Sequence, residues 1–367
     1  MDNRELIIGI DGNALVHRAF HAFPPTLQSS DGLQTNAVYG FTSMLLEVLN
    51  KYKPKYIFCA FDSGKKTFRH NMYPDYKAHR KPVDQSLISQ FKLVEDVLKA
   101  FNIPIIKKDE YEADDILGTV SKWVNEGKWK EDNLLMYVVT GDRDLLQLIK
   151  PNVYTVIPDG GFKNLVIYDR QRAYQKYGYY PEQVTDFKAI AGDPSDNIPG
   201  VKGVGEKTVL DLLRNYNTLE GIYENIEGIP SRYKAKLIEG VEIAHFSKEL
   251  ATVFCDIDMK MELNDCVLSD FNENDLVSIF ARFNFKSLVG RIPKSTRIVE
   301  YDINQLDMFM NDSEHVVVGD VKEEGGYNIS LIEEFDQDLV LGAKHVVVLY
   351  RLDIVLVLIV DNLDQLR

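Results

Sequence analysis

Seven acidic residues stand where apolar runs stop or a helix begins. Asp11 ends "LIIGID" (6–11), Asp62 ends "YIFCAFD" (56–62), and Asp142 and Asp144 close "LLMYVVTGDRD" (134–144). The stretch "EYEADD" (110–115) adds Glu112, Asp114 and Asp115, with Glu110 just ahead of them. Such crowding has two explanations. Acids suit the first turn of a helix, where the dipole favours negative charge, and Ile116, Leu117, Val120 and Val124 follow at helical spacing. The other explanation is a divalent cation. "AGDPSDNIPGVKGVG" (191–205) contributes two further acids, Asp193 and Asp196. Oxygen donors with no His or Cys among them suit Mg²⁺ or Mn²⁺. Mg²⁺ uses few carboxylates and keeps water, so a set this large implies two ions. Two ions ~3.5–4 Å apart can clamp the attacking water and the leaving oxygen of a phosphodiester. A single strand-end Asp is commonly a cap or turn residue; the joint occurrence carries the inference.

The acids need a frame. The three apolar runs alternate with amphipathic stretches such as "YGFTSMLLEVLNKY" (39–52) and "SLISQFKLVEDVLKAF" (86–101). That alternation predicts an α/β fold, a parallel sheet with flanking helices, over residues 1–180. Ligands bind beyond the carboxyl ends of such strands, so the terminal Asp residues fall on one edge. After about residue 180 short helices dominate, which predicts a helical domain over 181–293. "RIPKST" (291–296) reads as a linker, and 297–367 is a short strand-rich C-terminal segment.

Two stretches fit a polyanion. "SGKKTFRHNMYPDYKAHRKP" (63–82) carries Lys65, Lys66, Arg69, Lys77, Arg80 and Lys81 against Asp75, with Tyr73 and Tyr76 interleaved. Cations neutralise phosphates, and aromatic rings stack on unpaired bases. A charge run is often only solvated surface, but this one directly follows Asp62. "IPGVKGVGEKT" (198–208) places Gly200, Gly203 and Gly205 before a helix, with Lys202 and Lys207 adding charge. This is the helix–hairpin–helix pattern, whose backbone amides meet phosphate.

Composition sets bounds. Net charge is −14, which argues against nucleic acid at first sight. Residues 296–367 hold 15 acids and 5 Lys/Arg, however, leaving 1–295 at only −4. Local patches therefore decide the partner. Cys59, Cys255 and Cys266 are far apart, which predicts a reducing, cytoplasmic setting and no zinc site. The chain opens with acids rather than a basic signal-peptide start. The apolar run 345–360 carries Arg351 and Asp353 at its centre, each costing about 2.5–3.5 kcal/mol at a bilayer midplane. It reads as buried strand, a hairpin turning near Arg351–Asp353, and no membrane partner is expected.

Taken together, "GIDGNALVHRAFHAFPP", "FDSGKKTFRH", "YKAHRKP", "YEADD", "VVTGDRDLLQL" and "GDPSDNIPGVKGVGEKTV" resemble the 5′-nuclease domain of bacterial DNA polymerase I, within the flap endonuclease family. The resemblance covers residues 5–290. It implies two-metal hydrolysis of phosphodiesters at 5′ flaps, nicks and RNA-primer ends, an arch over the active site, and K⁺ in the hairpin. It also implies roles. Asp11, Asp62, Glu112 and Asp114 serve mainly one metal; Asp114, Asp142, Asp144 and Asp193 serve the other. Asp115 and Asp196 act through water or from behind. Lys77 and Arg80 match the arch cations at the scissile phosphate, and Arg18 joins the DNA-binding set. His17 stands where Tyr is common, removing a stacking contact. Glu110 lies outside the motif. Residues 297–367 look like opening strands of an adjoining 3′-exonuclease-like domain without its Asp-x-Glu pair, and a polymerase in cis or trans is the implied partner. The competing readings are a PIN-type ribonuclease, which lacks the arch and hairpin, and a junction-binding module without catalysis.

Overall fold

The computed structural model describes residues 4–80, 82–129, 133–159, 161 and 164–293, and from there the backbone of strands within 299–360. It divides into two compact units, Met1–Arg291 and Ile292–Arg367.

In the first unit, β1 (Glu5–Asp11) leads into α1 (Gly12–Ala22) and α2 (Asn36–Tyr52). Then come β2 (Tyr56–Ala60), the short α3 (Phe68–Met72), α4 (Gln85–Ala100), β3 (Ile105–Ile106) and α5 (Ala113–Glu126). β4 (Leu134–Val139), β5 (Val153–Pro158) and β6 (Leu165–Tyr168) complete a sheet of order β3-β2-β1-β4-β5-β6. The first five strands in that order pair parallel, as the β–α alternation predicts; β6 is an antiparallel edge. β1 runs between β2 and β4, so the chain leaves β1 and β4 in opposite directions across the sheet. That switch point opens a crevice at their carboxyl ends. The core beneath it is apolar: Ile7, Phe58, Met136 and Val138 pack on Ile116, Leu117 and Val120 of α5.

α6 (Arg170–Tyr177) leads to a helical layer formed by α7 (Val184–Ala191), α8 (Glu206–Tyr216), α9 (Leu219–Glu224), α10 (Ser231–Glu239) and α11 (Val241–Ala251). Ile190, Val201, Val204, Val209, Leu213, Leu237 and Ala244 form its own core. The chain from 253 to 293 departs from the expected helical domain. Val253, Ile257, Met261, Leu263 and Cys266 join the core of the α/β layer. α12 (Glu273–Arg282) and α13 (Lys286–Val289) follow; α12 packs on α4, and Arg291 donates to Ser43 in α2. Buried Phe280, Phe283 and Phe285 give this return its apolar contact.

The second unit is a five-stranded sheet, β7 (Val299–Glu300), β8 (Val316–Lys322), β9 (Gly326–Ile332), β10 (His345–Arg351) and β11 (Ile354–Val360), in the order β7-β10-β11-β8-β9. The apolar run 345–360 thus forms the antiparallel pair β10–β11, with Arg351 opposite Ile354. Asp353, and 294–296 of the expected linker, lie outside the described residues. Among the described residues no helix is long and apolar enough to cross a membrane.

Candidate active site

Each acid at the sheet edge is set by its local structure. Asp11 ends β1 and caps α1, accepting from the Ala14 amide (2.9 Å) and from the Thr140 hydroxyl beyond β4 (2.6 Å). Asp62 lies just past β2; its carboxylate accepts from the Ala113 amide (2.8 Å) and its own amide donates to Asn13 (2.9 Å). Glu112 is the N-cap of α5, and Asp114 occupies the first turn. Asp142 caps the 3₁₀ helix Arg143–Leu148, accepting from the Asp144 amide (2.9 Å). Asp11, Asp62, Glu112, Asp114 and Asp142 all line one cavity of about 230 Å³, together with Lys77, Arg80 and His17.

Crowding these acids out of water makes ionisation costly. Burial, then repulsion from Asp142 and Asp62, pushes Asp11 up to about 7. Burial raises Asp62, and burial with Asp11 and Asp142 nearby pushes Asp114 well above the carboxylate range. Such a group of oxygen donors fits a bound cation, which would favour the charged forms.

The remaining acids meet a lysine. Lys188 of α7 donates to both Asp144 and Asp193, the latter at 2.5 Å. Burial opposes its charge, but Asp144 and Asp193 outweigh burial and raise its pKa. Burial and Asp142 raise Asp144 to about 6 despite Lys188. Burial also works against charge on Asp193, yet Lys188 and the Ser195 hydroxyl and amide win and hold it down at about 2. Oxygens of Asp144, Asp193 and Asp196 lie within 4.8 Å of one another, close enough to share a metal ion. Lys188 shows that a cation is accommodated between the first two.

The basic segment after Asp62 folds down onto this edge. Lys77 donates to Glu112 (2.6 Å) and stands 3.8 Å from Asp196; Arg80 pairs with Asp196 (2.5 Å). Burial would depress Lys77, but Glu112 and Asp196 prevail and keep it charged. Lys81 of the same run is outside the described residues.

Four expected site residues are placed otherwise. Arg69, expected at DNA, is buried at 3% exposure. Its guanidinium grips Asp115 through two 2.8 Å bonds and also donates to the carbonyls of Leu250 and Thr252. Asp115, expected near metal, is fully buried; the Phe254 and Glu112 amides take further positions on its two oxygens. Those donors leave it little room for a cation. Tyr76, expected to stack on bases, is buried, its hydroxyl on Glu112 (3.1 Å) and Asp196 (3.3 Å). Gly200 faces protein: at φ +64° a Cβ would stand 2.3 Å from the Gly192 amide nitrogen. Tyr73 is half-buried, edge-on to Phe246.

Arg18, on α1, reaches the Pro158 carbonyl (2.8 Å) beside the cavity. In the hairpin, Val201 and Val204 are buried while Lys202, Gly203, Gly205 and Lys207 are exposed. Gly205 is the N-cap of α8 and offers no side-chain bond, so the Glu206 and Lys207 amides have no partner within the helix. Lys188, Thr140 and Asn13 were not legible as site residues. A Lys one turn before a helix end is an ordinary sequence feature, and Thr and Asn at strand ends are common caps.

Comparisons with known proteins agree with this architecture. Residues 6–178 match the family described as 5′-3′ exonuclease, N-terminal resolvase-like domain, and residues 179–274 match 5′-3′ exonuclease, C-terminal SAM fold. The chain belongs to the 5′-3′ exonuclease family. DNA polymerase I of Caldicellulosiruptor bescii is 40% identical over 301 residues, 82% of this chain and 35% of that protein. DNA polymerase I of Bacillus subtilis is 36% identical over 303 residues, 82% of this chain and 34% of that protein. The chain thus spans about a third of the length of these relatives. A bacteriophage T5 flap endonuclease solved with DNA and metal ions shares the fold, with TM-score 0.55 and 19% identity over 76% of this chain and 100% of that one.

Proposed function

We propose that this chain is a divalent-metal-dependent, structure-specific 5′ nuclease that cuts DNA at 5′ flaps, nicks and primer 5′ ends. One observation carries the reading: acids from four separate elements converge with Lys77 and Arg80 in one cavity at the sheet's switch point. Phosphate binding alone would not call for that many carboxylates, which repel a polyanion when no metal is present. A non-catalytic junction binder is therefore disfavoured. A PIN-type ribonuclease is disfavoured by the hairpin and by the match to both halves of the exonuclease family.

Two Mg²⁺ or Mn²⁺ ions fit the donor set. Asp11, Asp62, Glu112 and Asp114 would hold one; Asp114, Asp142, Asp144 and Asp193 the other, with Asp196 behind. When bound, such ions stabilise charge on a phosphodiester and lower the pKa of water. The chain's own groups do the rest. Thr140, Asn13 and the Ala113 amide fix the orientation of Asp11 and Asp62. Lys77 and Arg80 present fixed positive charge where a phosphate enters, once they exchange Glu112 and Asp196 for it. Lys202, Lys207 and the start of α8 hold duplex backbone at a distance from the cut. The expected K⁺ has a rival in the hairpin, since the Lys236 ammonium already donates to the Gly203 carbonyl (2.9 Å). The relatives support a polymerase, in cis or in trans, as the partner, and the three scattered cysteines fit a cytoplasmic setting.

The test is an end-labelled 5′-flap duplex incubated with the full chain in Mg²⁺ and in EDTA. Cutting at the flap junction in Mg²⁺ alone is expected. Intact substrate in both Mg²⁺ and Mn²⁺, with the DNA bound, would support the junction-binding alternative.

A further inference from the structure

A second cavity, of about 460 Å³, adjoins the acidic one and shares Ala14 and Asp142 with it. Its chemistry is different. Arg18, Arg143 and Lys176 supply positive charge, and Tyr168 and Tyr177 supply aromatic wall. Arg18 is anchored by the Pro158 carbonyl, and Lys176 stands 3.7 Å from Asp159. Arg143 is exposed and has neither an ion pair nor a hydrogen bond among the described residues. Tyr177 is half-buried and held in an aromatic row: it stacks with Tyr179 (centroids 6.1 Å apart), which stacks on Phe187 (4.8 Å). Tyr168 braces it at a tilt (5.9 Å).

A rigid aromatic ring beside an unpaired guanidinium is suited to a base with its phosphate. The volume falls within the range of small-ligand sites, about 300–1,000 Å³. Gly141 lines this second cavity, where a Cβ would come only into ordinary contact with the Ala14 carbonyl (3.4 Å) and Arg18 Cδ (3.5 Å). None of Arg143, Lys176 or Tyr177 lines the acidic cavity.

We propose that this cleft holds an unpaired nucleotide next to the phosphodiester at the acids, its base stacked on Tyr177 and its phosphate paired with Arg143. The inference rests on the nuclease reading and adds a subsite to it. The nucleotide can come from the flap side or the duplex side of the cut, and its chemistry is the same in both.

The experiment uses the full chain and 5′-flap DNA carrying 2-aminopurine on the flap side of the junction or, in a second substrate, on the duplex side. DNA is bound in Ca²⁺ to native protein, Tyr177→Leu and Arg143→Gln. Leu keeps the apolar packing of Tyr177, and exposed Arg143 can change without touching the core. Binding to native protein should quench one of the two probes, identifying the strand that enters. Tyr177→Leu should relieve that quenching, and each variant should bind the flap DNA about tenfold more weakly. Should Tyr177→Leu fail to fold, Arg143→Gln decides alone. No quenching at either position, or native affinity in the variants, overturns the cleft. Cleavage by native protein in Mg²⁺ is read separately: its absence overturns the nuclease reading, whereas normal cleavage with unchanged fluorescence and affinity overturns only the cleft.

Discussion

The two ends of the acidic edge hold negative charge in opposite ways. Asp11, Asp62 and Asp114 lie together with their carboxyls pushed up by burial and by neighbouring carboxylates, Glu112 and Asp142 among them. Asp144 and Asp193 share the Lys188 ammonium, and Asp193 is held down at about 2. At the first end Lys77 is held by Glu112 rather than by these three acids; at the second, Lys188 sits directly on both carboxylates, and an arriving metal must displace it. Apparent metal affinity should therefore differ between the two ends even though the donors are alike. A third arrangement sets the limit of this logic. The Arg69–Asp115 pair is sealed in protein on all sides, and there the cation is permanent.

That permanent pair offers the largest stability effect. Arg69→Met leaves Asp115 buried without its partner, at a cost of about 3–5 kcal/mol. Denaturant unfolding of the metal-free protein measures it. A variant of native stability that has merely lost DNA affinity would return Arg69 to the DNA face.

At the first end, Lys77→Ala should slow the chemical step ~10²–10³-fold by removing one donor to the developing phosphate charge. Duplex affinity should change far less. Single-turnover kinetics separate the two, and an effect on Kd alone would contradict the role.

Lys188→Met makes the second end resemble the first. The metal-free protein should lose on the order of 1–3 kcal/mol as two carboxylates lose their donor. Mg²⁺ should then raise the Tm of the variant more than that of the native chain. Equal Mg²⁺ shifts in the two proteins would show that Lys188 does not compete with metal.

The smallest effect lies furthest from the acids. Lys202→Ala in the hairpin should reduce the salt slope of duplex binding by about 1, the share of one phosphate contact. A slope identical to native would mean that the hairpin does not face DNA.

The acids were legible because each interrupts an apolar strand or opens an amphipathic helix, and parallel strands bring such ends to one edge. Side-chain direction within the basic segment was not. Arg69 and Tyr76 sit in a run of cations and aromatics that looks uniformly solvent-facing, yet the five-residue α3 and the turn after it point these two inward and leave Lys77 and Arg80 at the cavity. Asp115 follows Asp114 directly, and one residue of helix rotation carries it from the cavity into the core beside Thr119. The return of 253–266 to the α/β layer escaped for another reason. Val253, Ile257, Met261 and Leu263, with Cys255 and Met259 between them, alternate with exposed residues in a period of two, which names an extended, half-buried segment but not the surface it covers.

Asp142 lines the cavity of the first end and caps the turn that carries Asp144, so its loss should disable both. The most direct test is therefore single-turnover cleavage of a 5′-flap duplex by native protein and Asp142→Ala in Mg²⁺, with flap binding measured in Ca²⁺. The account predicts cleavage by the native chain only, with flap binding retained by both. Cleavage by Asp142→Ala at a rate comparable to native, or by the native chain in excess EDTA, would contradict a metal centre built on these acids.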